Sequence, residues 1–385
     1  LPHKFFNAQY GRNLRELIAK GRHLSEIVHF GDQQVFSGAT TYTCLLFLDK
    51  QRKSTCPFVK VHDLDGWKNR IEEVRELIKS RGSSLAEDQA IYRIHHPIID
   101  EVVSTGDIPL TQLGSDDWNF GVGRIATLMR NLQMRPLKLG HVAEIFVGLQ
   151  TSADRVYVLS LDAEIEAKAV KPFLVTGHLA AYDLPKASAQ LLFPYLIDES
   201  TAKLIPACEM KHDYPKAWQH LENHKKELTR RENGKWNHSQ WYAFGRSQNL
   251  TQMQAPKLIV QVTAKRPTVM LDEHGLHMTG GGSGPFYGIR PMSPQLTLRF
   301  LLGVMNSKLF GVMIRSQSTD LRGGYIKFSK QYIETATFPS IDFTKPADIE
   351  KHDRMVSLVD RMLALVPKRR AEANPQSAAQ LDAQI

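Results

Sequence analysis

No apolar stretch of this chain approaches the roughly 20 residues that a membrane-crossing helix needs. The longest, from Leu298 to Met305, is broken by Arg299 and Gly303. Nothing in the chain reads as a membrane span. At 385 residues, 42% hydrophobic and 23% charged, the chain has apolar surface enough for two or three ordinary domains. Its opening, LPHKFFNAQYGRNLR, lacks an apolar core of signal-peptide length. Cys44, Cys56 and Cys208 are odd in number and have no metal-type spacing, as expected of thiols in a reducing compartment. The expectation is a cytoplasmic protein with no membrane partner and no bound metal.

Residues 7–20 carry Leu14, Leu17 and Ile18 at helical spacing, with Gly21 as a stop. Two runs with strand character follow, SEIVHFGD and TTYTCLLFLDK, joined by a loop from Gly31 to Thr40. A helix and two strands cannot close a core. Together with the abrupt Leu1-Pro2 opening, this suggests a fragment that begins inside an α/β domain. From 51 to 131 the pattern is mixed: a polar-faced helix over Asp65 to Ser80, loop-rich stretches over 82–88 and 104–117, and a helix over Arg124 to Asn131. Short strands at 191–197, 257–262 and 268–271, with helices at 214–233 and 295–307, indicate an α+β region. Beyond Pro339, the residues Met355, Leu358, Val359, Met362 and Leu365 form an amphipathic stripe, which is expected to pack on a helix beyond Ile385. The division expected is an α/β remnant at 1–60, a connector at 61–131, an α+β domain at 132–345 and a helical tail at 346–385.

Charge narrows the function. The chain has 49 Lys and Arg against 40 Asp and Glu, a net charge of +9. Between Lys203 and Met270 there are twelve cations to five carboxylates, and between Asn306 and Lys330 five to one. The remainder is close to neutral, so two patches carry the positive field and suggest a polyanionic partner. In the first, the helical run His224 to Arg231 (HKKELTRR) supplies Lys225, Lys226, Arg230 and Arg231, followed by Lys235, Trp236, Trp241 and Arg246. Such cations neutralise phosphates and release counterions, whereas aromatic rings can wedge beside bases; the alternative is a solvated helix face over core tryptophans. Lys265 and Arg266, then Arg315, Arg322, Tyr325 and Lys327, make the remaining clusters. Glycines beside the last group suit either close approach to a phosphate or an ordinary hairpin.

Other constellations are weaker. Gly280 to Gly284 lacks the Gly-Lys-Ser/Thr ending of a nucleotide-hydrolysing loop. Asp154 with Glu166 and Lys168 has the residue types of a metal-dependent nuclease, but Asp162 to Lys168 lacks the alternation of a core strand. His220 and His224 lie one helical turn apart without a third ligand in view.

Three stretches, taken in order, carry a resemblance. LPHKFFNAQYGRNLRELI with IVHFGDQQVFSGATTYTCLLFL resembles the last third of the catalytic domain of amino-group DNA adenine-N6 methyltransferases of restriction-modification systems (type IIG or type I-like). GLQTSADRVYVL, HKKELTRR, and LLGVMNSKLF with LRGGYIKFSKQYIETATFP are similar to the TaqI-like specificity domain that follows it. The resemblance implies that residues 1–60 end a Rossmann-like sheet and that 132–345 recognise double-stranded DNA and hold it across the active site. It also implies S-adenosylmethionine as the methyl donor of the parent protein. The family's cofactor turn and its Asn-Pro-Pro-aromatic loop are absent here, so the piece is expected to bind no cofactor and to be inactive without the N-terminal catalytic segments. By the same resemblance Phe36 stacks on the extruded adenine, recovering part of the stacking lost in the duplex; spacing alone would leave it capping the edge of the second strand. The reading from another class is a non-catalytic DNA-specificity subunit or interaction module.

Overall fold

The computed structural model describes residues 1–385 except 32, 39–40, 72–101, 117, 119, 121–127, 130, 176–179, 199–200, 282–284, 319, 322–323 and 385. The chain divides into two compact units, Leu1–Pro136 with Arg315–Ile326, and Leu137–Ile314 with Lys327–Ile385. The fold is mixed α/β, with several small sheets and a helical tail. Among the described residues no helix is long and apolar enough to cross a membrane.

In the first unit, helix α1 (Arg12–Gly21) ends where Arg22 adopts the left-handed conformation. Strands β1 (Leu24–His29), β2 (Cys44–Leu48), β3 (Thr55–Val61) and β4 (Val103–Pro109) form a sheet in the order β2-β1-β3-β4. β1 and β3 run parallel, with Ile27 opposite Phe58, and the other two pairings are antiparallel. Phe5, Phe6, Ile18, Ile27, Cys44, Cys56, Phe58 and Trp118 build one core of this unit. The stretch expected as loop at 104–117 contains most of β4. Its Gly106, Asp107 and Pro109 read as turn residues, yet an edge strand tolerates them, and Val103, Thr105 and Ile108 turn inward. Of the two helices expected in the connector, 64–71 is helical while 72–80 lies outside the described residues. In the second, 128–129 and 131–133 are helical, and 124–127 and 130 lie outside.

The second unit begins with β5 (Ala143–Val147), α2 (Asp154–Tyr157), β6 (Val158–Leu159), β7 (Val170–Leu174), β8 (Ala189–Leu192), β9 (Tyr195–Asp198) and β10 (Thr201–Leu204). The strand expected at 191–197 is thus two, parted at Phe193-Pro194, because proline cannot continue the ladder. Helices α3 (Ala207–Asp213), α4 (Pro215–Asn223) and α5 (Lys225–Gly234) lead to β11 (Lys257–Gln261), β12 (Thr263–Ala264), β13 (Val269–Asp272), β14 (His277–Met278) and β15 (Phe286–Pro291). One sheet is antiparallel in the order β13-β11-β15-β5, and another runs β14-β7-β8-β6. Helices α6 (Leu298–Asn306) and α7 (Lys308–Gln317) precede a short antiparallel pair, β16 (Asp320–Leu321) and β17 (Tyr325–Lys327), whose paired residues belong to the first unit. Then come α8 (Lys330–Thr335), α9 (Pro346–Ala371) and α10 (Pro375–Asp382).

The tail helix has its partner within the chain, which corrects the expectation of a helix beyond Ile385. α9 packs on α6, where Gly303 leaves room for Met355 and Val359; a Cβ at Gly303 would lie 2.7 Å from Met355 Sδ and 2.9 Å from Val359 Cγ2. Arg299 joins the two helices through Asp360 at 2.6 Å, and Phe300 stacks on His352 at 4.9 Å. A Gly303→Val substitution should therefore loosen the tail at a cost of about 1–3 kcal/mol, visible as faster proteolytic cleavage within 346–382; an unchanged cleavage pattern would contradict this packing.

Burial also sets a pH dependence. His277 is 1% exposed; its Nδ1 lies 3.1 Å from the Gly275 carbonyl, and its Nε2 is buried without a partner among the described residues. Burial, reinforced by Lys257 and Lys171, lowers its pKa from 6.5 to about 3. Because the folded chain disfavours the proton, this contribution to stability is complete above about pH 6.5 and drains as pH falls towards 3. Going from pH 7 to 4.5 should cost wild type about 2–3 kcal/mol more than His277→Leu in urea unfolding, at about 1.4 kcal/mol per pH unit below 6.5. Equal losses in the two proteins would exclude His277 as a source of acid sensitivity.

Candidate nucleic-acid interface

The helix expected over 214–233 is broken. α4 starts with Pro215, and the Glu166 carboxylate accepts hydrogen bonds from the Lys216 and Ala217 amides at 2.7 and 3.0 Å. A carboxylate against the free N–H groups of a helix start is stabilising, so Glu166 is a cap, and the nuclease-like grouping has a structural explanation. Asp154 likewise accepts from Thr151 Oγ1 at 2.5 Å. The chain departs from helical geometry at His224 and again from Arg231, where ψ is 145°. His220 Nε2 lies 2.8 Å from the Val156 carbonyl and His224 Nδ1 2.9 Å from the His220 carbonyl. Among the described residues no three His, Cys, Asp or Glu side chains are grouped to hold a metal.

Arg231 corrects the sequence expectation. The sequence groups it with its neighbours as a phosphate-contacting cation, but it is 8% exposed. Its Nε donates to the Leu228 carbonyl at 2.9 Å, one terminal nitrogen to Thr151 at 3.1 Å, and the other to Trp241 and Ala243 at 2.7 and 2.9 Å. The guanidinium also lies 4.4 Å from the Trp236 ring centre. Burial draws its pKa below the ordinary value. The sequence carries a signal for this: Leu228 and Arg231 are three residues apart and share a helix face, so a core Leu228 turns Arg231 inward.

Lys225, Lys226, Arg230 and Lys235 are exposed. Lys225 Nζ sits 5.1 Å from the Trp241 ring, and Trp241 and Tyr242 are core residues, 5% and 3% exposed. Arg246 is exposed but bound to Glu232 at 2.7 Å, which holds that carboxyl below its usual pKa. Lys257, counted in the same patch, is fully buried against Asp272 at 2.5 Å and contributes nothing to the surface field.

The other candidates are dispersed. Lys265, Arg266 and Lys327 are exposed in the second unit; Arg315 and Tyr325 are exposed in the first, so the second basic patch is divided between the units. Arg322 lies outside the described residues, as do Gly282 to Gly284. Gly280 donates to the Leu149 carbonyl at 2.7 Å and accepts from Gln150 Nε2 at 3.2 Å, which ties the glycine-rich loop to the GLQTSAD motif. Phe36, between β1 and β2, is 60% exposed.

Comparison with known proteins places this geometry. Residues 206–338 match the TaqI-like C-terminal specificity domain. Within the matched residues lie Arg231 with three of its four carbonyl partners, the exposed cations of α5 and the buried Lys257–Asp272 pair. The chain is 23% identical over 389 residues to the type II restriction enzyme and methyltransferase RM.Eco57I of Escherichia coli, covering 93% of this chain and 36% of that protein. It is 21% identical to the type II methyltransferase M.BanIII of Aneurinibacillus aneurinilyticus, covering 88% and 59%. The chain thus spans only part of the length of these relatives. In fold it is similar to the type IIL restriction-modification enzyme MmeI solved in complex with DNA, with a TM-score of 0.50 at 10% identity over 99% of this chain and 43% of that one.

Adjacent arginines within the matched residues should respond very differently to truncation. Arg231→Ala removes one donor from each of four carbonyls and should cost about 3 kcal/mol or more, while Arg230→Ala should stay within about 0.5 kcal/mol. Urea unfolding of the two variants side by side measures the difference; equal midpoints would refute the cage.

Proposed function

We propose that this chain is the DNA-recognition portion of a site-specific DNA methyltransferase of a restriction-modification system. The observation that carries the reading is the coincidence of the matched specificity domain with a row of exposed cations. Lys225, Lys226, Arg230 and Lys235 stand on one short stretch of it, and among the described residues Lys226, Arg230 and Arg266 have no carboxylate partner. Cations so presented exchange condensed counterions for phosphates, which gives affinity and orientation without sequence information.

In the longer protein, the methyl group goes from S-adenosylmethionine to the exocyclic amine of adenine, and residues 1–60 belong to the end of its Rossmann-like sheet. Phe36, exposed beyond β1, is the ring available for an extruded base. Neither strand of the parallel pair leads into a glycine-rich turn: β1 is followed by Phe30-Gly31, and β3 by His62 to Gly66, where the Leu64 amide is tied to Gln33 Oε1 at 2.6 Å. Among the described residues, these strand ends form no cradle for that cofactor.

Reversing Lys225, Lys226, Arg230 and Lys235 to Glu should weaken binding to all duplex sequences alike. The slope of log K against log salt should shrink by about 0.9 for each phosphate that the variant no longer neutralises. Fluorescence anisotropy at two salt concentrations reads both quantities. Wild-type binding that does not change with salt would defeat the proposal.

A further inference from the structure

Between the Arg231 cage and the buried segment Trp241 to Phe244 lies a nine-residue excursion, Glu232 to Gln240, whose residues are exposed except for half-exposed Trp236. Both ends are fixed. The Arg231 guanidinium grips the carbonyls of Trp241 and Ala243, the Gly245 amide donates to the Thr151 carbonyl at 2.8 Å, and Tyr242 Oη donates to the Ile205 carbonyl at 2.6 Å. The loop leaves the cage through three consecutive left-handed residues, Glu232 at φ 50°, Asn233 at 60° and Gly234 at 85°. Two of these carry side chains, and such backbone is sparsely populated unless the surroundings enforce it. Its interior is closed by the Asn237 amide on the Gly234 carbonyl at 3.1 Å, the His238 amide on Trp236 at 2.9 Å and the Trp241 amide on His238 at 3.2 Å. Trp236 rests on the Arg231 guanidinium and against His238 at 5.5 Å.

The composition of the loop selects its partner. It contains no aliphatic side chain, so it does not suit an apolar protein surface. Among the described residues, the side-chain amides of Asn233, Asn237 and Gln240 have no hydrogen-bond partner, while the backbone that carries them is tied by the bonds just named. An Asn or Gln amide offers one donor and one acceptor in the spacing that matches adenine N7 and N6 in the major groove. Holding such groups in place before binding removes the entropy that a floppy loop would lose. Lys225, Lys226 and Arg230 just before it and Lys235 within it suit the phosphates beside a groove.

Resting on the DNA-recognition reading above, we propose that the 232–240 loop is the base-reading element of the specificity domain. Asn233, Asn237 and Gln240 are its specificity-determining residues, directed at adenine-containing base pairs of duplex DNA, and Arg231 is a positioning residue that acts through the loop.

The test is selection from a randomised duplex pool with the full chain, followed by affinity measurements on the selected and a scrambled duplex. Wild type should enrich a consensus. In Asn237→Ala combined with Gln240→Ala, the consensus should become degenerate at one or two positions, with discrimination falling about tenfold. Arg231→Lys, which keeps the charge but loses the planar fork, should relax the same positions while the salt slope on scrambled DNA stays at the wild-type value; a residue that merely stabilised the fold would lower binding to both duplexes together. An intact consensus in the folded double variant overturns the loop assignment alone, as does an equal loss of affinity for both duplexes. A wild-type chain that enriches nothing overturns the DNA-recognition reading with it.

Discussion

A guanidinium can enter a protein interior only if its N–H groups find acceptors there, since an unpaired buried charge is far costlier than an unpaired amide. Arg231 meets that requirement with four carbonyls drawn from three stretches of chain, at Thr151, at Leu228, and at Trp241 and Ala243. None of those stretches could be moved without exposing the charge to an empty site. The interaction thereby fixes where α5 ends, where the exposed loop leaves, and where the aromatic segment returns to the core. That segment buries Phe244 against Tyr157, Phe193 and Tyr195, and Tyr157 Oη donates to the Tyr242 carbonyl at 2.9 Å. The GLQTSAD motif enters the same network through Thr151, which accepts from both Arg231 and Gly245.

Lys257 and Asp272 present a second buried charge under the same rule. The pair faces across β11 and β13, with Lys257 Nζ also donating to the Met253 carbonyl at 2.6 Å and Asp272 accepting from the His274 and Leu276 amides. Burial lowers the Lys257 pKa and Asp272 opposes it. Such a pair adds little net stability over apolar residues of the same size, but a slipped register would leave each charge unpaired, so it selects one alignment of the strands. Both buried cations lie inside the basic patch that the sequence counts as surface charge. The surface excess is correspondingly smaller.

How far the sequence is legible follows from the same physics. Helical spacing locates α1 and α9, and short apolar runs locate β1, β2, β11 and β13, to within about six residues at either end. β4 escapes both because Gly106 and Asp107 outweigh its three inward residues. The break after Arg230 escapes them because a helix that ends on a buried arginine has no glycine or proline to announce it. Composition finds the exposed cations, but it cannot separate Arg230 from Arg231, since the distinction is which way the backbone turns at one residue. The partner of α9 is hidden for a related reason: the stripe on α9 is visible in sequence, whereas its complement on α6 is a single glycine and an arginine.

The separation of roles proposed for residues 206–338 rests on what each kind of interaction can do. Attraction between cations and phosphates is long-ranged and insensitive to sequence, so it can stand on flexible lysine and arginine stems along α5. Base readout is short-ranged and directional, and an error of an ångström in placement forfeits it. Groups that must discriminate therefore require a fixed backbone, which an exposed loop without an apolar core of its own cannot supply internally. A buried arginine beneath the loop supplies it from below while leaving the upper face free of the charge that fixes it. The strained left-handed exit at Glu232 and Asn233 is the cost of bringing the chain back over that arginine, and its persistence in an exposed segment is explained by the four carbonyl bonds that would break if the chain relaxed.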